Sequence, residues 1–127
     1  MQDTPALNYL DFEHSEDADG VATFEAMASV VGAAQVVAVH AEVAQVLSWA
    51  YRHFGDSRGP VDEGFDWDHD LQGQAEYTAV ESLHFDETTG RISAQLQAPG
   101  VPRHNVTLAI SASPAFADAF RLAFGLG

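Results

Sequence analysis

The sequence predicts an α+β fold: a mainly antiparallel sheet with a long and a short helix packed on one face, in the order β-β-α-β-β-β-α. Three observations carry this expectation. Apolar residues take every second position in five separate runs, the period of a strand with one covered face. Between Gly32 and Gly55, and again after Ser113, the spacing changes to three or four, that of an amphipathic helix. Short polar turns containing glycine join neighbouring runs, which favours hairpins and hence antiparallel pairing.

From Asn8 to His14, Leu10 and Phe12 alternate with Asp11 and Glu13, giving a first strand with one wet face. Residues 15–20 have the composition of a turn, and Ala22, Phe24, Ala26, Ala28 and Val30 continue the apolar phase in a second strand. The register that keeps these side chains together sets His14 opposite Gly20, Phe12 opposite Ala22 and Leu10 opposite Phe24, with Tyr9 and Glu25 outside. The long helix follows. Its stripe is Val36, Val39, Val43, Val46, Leu47, Ala50 and Phe54, and Gly55 is expected to end it in the left-handed conformation. Its many valines disfavour a helix slightly, so packing must hold the segment.

Asp56 to Gly64, with Gly59-Pro60, reads as a loop. Phe65, Trp67, His69 and Leu71 then alternate with Asp66, Asp68 and Asp70 in the sharpest two-faced run of the chain. Residues 77–85 are a less regular candidate strand; Asp86 to Gly90 turns it into Ile92, Ala94 and Leu96. Ala98 to Pro102 breaks the chain again, and Val106, Leu108, Ile110 and Ala112 give the last inward-facing strand. Ser113-Pro114 caps a short helix whose Phe116, Phe120 and Phe124 share one face, and Gly125 closes it. A chain of this length fits one domain, with no internal repeat or linker.

Composition removes several function classes. The chain has 127 residues, 19 acidic against 5 basic, all arginine, for a formal charge of -14, and no cysteine. Disulfides, thiolate metal sites, iron–sulfur clusters and a cysteine nucleophile are excluded, as are lysine Schiff bases and a phosphate-loop lysine. Arginines at 52, 58, 91, 103 and 121 form no cluster to neutralise phosphates, so nucleic acid is not an expected partner. The same sign disfavours anionic membrane surfaces, and no apolar run is long enough to span a bilayer. The acidic first twenty residues are unlike a signal peptide, and cytoplasmic location is the expectation.

No cofactor or metal is expected. The acidic runs at Asp66 and at Ser15 both fail the spacing of a calcium loop, which needs glycine sixth and glutamate twelfth. No histidine pair has the helical spacing of a zinc site, and no serine elbow, dinucleotide-binding or kinase pattern occurs, so the chain leans away from an enzyme. Trp67 and His69, on the apolar face of their strand, are either core or the lining of a pocket between helix and sheet. Asp11, Glu13, Glu25, Asp66, Asp68 and Asp70 all fall in outward phase. Brought together, they make an acidic sheet face suited to a basic protein partner, an inhibitor-type module; solubility alone is the competing reading of the same charge. The alternative function is a small-molecule-binding or hydrolytic domain with its pocket near His69. A homodimer through an exposed edge strand is the third.

Overall fold

The computed structural model describes residues 7–126. β1 (Glu13–Glu16), β2 (Ala22–Val31), β6 (Arg103–Ala112) and β3 (Trp67–Glu76) form an antiparallel sheet in that spatial order. α1 (Ala33–Phe54) and α2 (Pro114–Phe124) cover one face of it. β4 (Glu81–Asp86) and β5 (Arg91–Leu96) pair with each other in a separate two-stranded ribbon. The α+β class, the antiparallel sheet and the two helices are as expected; the irregular candidate run holds a true strand, so four strands follow α1.

The alternation in β2 and β6 does what its period requires. Ala22, Phe24, Ala26, Ala28 and Val30 are buried while the residues between them are exposed, and Val106, Leu108, Ile110 and Ala112 are buried beside them. Val39, Val43, Val46 and Ala50 of α1 close over this surface from one side. From the other, Phe116, Phe120 and Phe124 of α2 pack in series, with Phe120 edge-on to both Phe12 and Phe24. Burial of the valine stripe outweighs its weak helix propensity.

α2 starts and stops as its sequence requires. The Ser113 hydroxyl accepts from the Phe116 N–H, Pro114 occupies the first turn, and Gly125 at φ 66° ends the helix. Gly55 does not do the same for α1. Its φ of −60° is right-handed, and the chain runs on into a 3₁₀ turn over Gly55–Ser57. At this end the Phe54 carbonyl accepts from both the Ser57 hydroxyl at 3.2 Å and the Trp67 indole at 2.8 Å, and the second bond ties the end of α1 to β3.

The first hairpin has a different register. Glu16 pairs with Ala22 and His14 with Phe24, four residues removed from the predicted alignment. The Asp17 carboxylate is the cause: it accepts from the N–H of both Asp19 and Val21, and the turn closes at Asp17–Gly20 instead of across residues 15–20. An even shift preserves the faces. Leu10 and Phe12 therefore remain buried, but on an extended segment before β1 that packs on the helices. That segment is held by Glu42, whose buried carboxylate accepts from the backbone N–H of Asn8, Tyr9 and Leu10 at 2.9–3.2 Å.

Two further expectations are corrected. β3 begins at Trp67, not Phe65, and runs through Gly73 to Glu76; Phe65 lies outside it against Gly59. Ile92, Ala94 and Leu96 face no core, because their hairpin leaves the sheet. At the joint, the Gly100 N–H donates to the Thr78 carbonyl and the Gln97 N–H to that of Val80, so β3 and β6 run on into the ribbon as a two-stranded arm.

Candidate functional site

The sheet face away from the helices is open to solvent, and its rows follow from the register. One row crosses all four strands as Glu13, Glu25, Ala109 and Asp70; the next is Ser15, Thr23, Ser111 and Asp68. Glu13 and Glu25 are directly opposite, a like-charge pair that weakens the hairpin. β6 contributes only small neutral residues at these rows, so the face has two acidic flanks separated by a strip two strand spacings, or about 10 Å, wide.

At the end where β2 begins and β6 ends, this face deepens into a groove of about 740 Å³ lined by Asp17, Asp19, Asp62, Asp68 and Ser111. Three of its four carboxylates come from loops, and none of the three is among the residues expected to form the acidic face. Asp17 and Asp19 belong to the acidic turn; Asp62 reaches them only because the loop after α1 returns beside the first hairpin. Nothing local signals that approach. Among the described residues, Arg58 is the cation that balances this region, with its Nε 3.0 Å from Asp68 and an Nη 2.9 Å from the Tyr51 hydroxyl.

The predicted acidic set is thus partly assembled. Glu13, Glu25, Asp68 and Asp70 share the open face. Asp11 is exposed but precedes β1, outside the ladder. Asp66 precedes β3 and is half-buried: its carboxylate accepts from the Ser113 hydroxyl and its carbonyl from the Ser113 N–H, which anchors α2 to β3.

The two candidate pocket residues separate as well. Trp67 is fully buried, stacked on Phe116 at 5.4 Å, and is core. His69 is half-buried at the sheet edge, stacked on Trp67 at 5.7 Å, with its Nδ1 buried and lacking a hydrogen-bond partner. Burial first, then the nearby Arg58 guanidinium, lowers its pKa below the ordinary histidine value. A neutral ring with an unpaired nitrogen makes no catalytic set by itself.

A groove between helix and sheet does exist, further along β3. It has a volume of about 560 Å³ and lies between Val43, Ala44 and Leu47 of α1 and Leu71 and Gly73 of β3, with Val106 beneath; His69 is not part of its lining.

Among the described residues no group of three or more ligating side chains is placed to hold a metal ion, and no helix is long and apolar enough to cross a membrane. The chain matches no protein-family model, curated protein or solved structure.

Proposed function

We propose that the protein is a binding module whose open sheet face takes a basic segment of another protein. The observation that carries this reading is the pair of acidic flanks, the opposed Glu13–Glu25 pair on one side and Asp70 on the other, that border the groove lined by Asp17, Asp19, Asp62 and Asp68. Such an arrangement is self-repelling alone and is relieved by a cation-bearing ligand. The neutral strip of Ala109 and Ser111 gives an extended backbone room to lie between the flanks while arginine or lysine side chains reach either side.

An arginine-rich peptide titrated into the protein by calorimetry tests this. Binding should weaken steeply between about 50 and 200 mM salt, within which the Debye length falls through about 10 Å. Neutralising Glu25, Asp62 and Asp70 to their amides should weaken it at least tenfold. Neutralising Glu81, Glu87 and Asp118, which changes net charge equally but lies elsewhere, should leave affinity within about twofold. Equal losses from both sets would show that total charge is recognised and would overturn the reading.

A further inference from the structure

The ribbon of β4 and β5 is two-faced. In its register Leu83 is opposite Ala94 and Phe85 opposite Ile92, on one face with Leu96; Ser82 with Gln95, His84 with Ser93 and Asp86 with Arg91 form the other. The apolar face has no cover: Leu83 is 63% exposed, Phe85 59%, Ile92 65% and Leu96 68%. An isolated two-stranded ribbon is marginal in water, and an apolar patch of this kind on an otherwise strongly charged surface marks a contact site. The body carries a second uncovered apolar surface, the α1–β3 groove, where Leu71 is 46% exposed.

We infer that these two surfaces meet between copies: the apolar face of each arm seats in the α1–β3 groove of a second copy, giving a two-fold dimer by reciprocal arm exchange. Three considerations select a second copy as the occupant. Every chain has one such ribbon face and one such groove, so a symmetric pair covers both at once, whereas an unrelated partner would need a matching groove and a matching ridge. The two surfaces are also where a chain of charge -14 can approach itself. Glu81 is the acidic residue on the apolar ribbon face, and His40, whose ring carries an N–H donor, lines the groove, so the two surfaces complement each other in hydrogen bonding.

The area suffices as well. Four large side chains so exposed present roughly 500 Å², so the two arms alone would bury on the order of 1,000 Å² before the grooves they cover are added, about the size at which specific interfaces begin. The arm has the reach: the ten residue steps from Glu76 to Asp86 span at most about 33 Å when extended. This inference does not depend on the acidic face, and the two respond oppositely to salt. Screening weakens capture of a basic peptide but eases approach of like-charged copies.

Because the chain has no cysteine, cross-linking is unambiguous. Light scattering of the parent protein should give twice the 13.6 kDa chain mass at micromolar concentration, and 0.5 M salt should not lower it. Mixing Leu83→Cys with Ala44→Cys under mild oxidation should yield the mixed disulfide dimer at least tenfold above either variant alone. Phe85→Ser with Ile92→Ser, both in water in the isolated chain, should abolish the dimer and leave the arginine-rich peptide affinity unchanged. A mass of 13.6 kDa throughout would overturn the inference, as would a chain carrying both cysteines that oxidises only within itself, which would mean the arm folds back onto its own groove.

Discussion

The four-stranded sheet and the β4–β5 ribbon are built on the same alternation of apolar and polar residues, yet they end in opposite environments. In β2, Phe24 is fully buried under α2; in β4, Phe85 stands 59% in water. Period two states which side chains share a face and nothing about what lies over it. In the body, that cover comes from α1 and α2, which follow β2 and β6 directly and fold back over them. Between β3 and β6 there is no such helix, only the arm itself, so its apolar face stays uncovered within the chain.

The contrast is sharpest in stability. Trp67→Ala should destabilise the body by about 3–5 kcal/mol in denaturant unfolding, because it empties a packed site and removes the tie to Phe54. Phe85→Ala, measured at protein concentrations too low for assembly, should change stability by under about 0.5 kcal/mol. If the two substitutions had similar effects, the division into covered body and uncovered arm would be wrong.

Glu42→Ala should rank next, at about 2–3 kcal/mol, since it strips the N–H groups of Asn8, Tyr9 and Leu10 of their acceptor. Its effect defines whether the segment before β1 belongs to the body; faster amide exchange at those three residues, with the arm unaltered, would place it there. Ser113→Ala follows at about 1 kcal/mol, from the lost cap of α2, with Asp66 left unpartnered.

His69 gives the smallest effect. Its folded pKa is depressed, so below the ordinary value of 6.5 the unfolded chain takes up a proton that the folded ring resists. This contribution is therefore full above pH 6.5 and is lost as pH falls through the folded value. Half-exposure and solvent screening keep it small. Stability measured from pH 8 to pH 5 should fall slightly more in the parent than in His69→Gln; an identical slope in the two would remove His69 from the set of groups that feel the body's interior.

Much of the body was legible in the sequence because local chemistry decides it. Ser113, Pro114 and Gly125 mark both ends of α2, and the stripes of β2, β6 and α1 identify the core. The register of the first hairpin was not legible: it turns on whether the Asp17 side chain or a longer polar loop closes the turn, a competition that composition does not resolve. Nor was the departure of β4 and β5 from the sheet, since their alternation resembles that of strands that stay. For the candidate site, outward phase correctly placed Glu13, Glu25, Asp68 and Asp70 on one face. Asp66 fell outside because the strand begins at Trp67, two residues later than the alternation suggests, and Asp62 was missed because only tertiary return of the loop brings it to Asp17.

The arm also bears on the order in which the chain can be assembled. Asp86 pairs with Arg91, Glu81 with Leu96, Glu76 with Arg103 and Trp67 with Ala112, a nested series that zips inward from one tight turn. Each step closes only a small additional loop once the previous one is made, whereas docking of β2 on β6 must bring Ala22 to Ala112 across most of the chain. The segment with the least cover in the finished molecule is thus the one that shortens the search for its longest hairpin, and weakening its turn should slow folding more than it lowers stability.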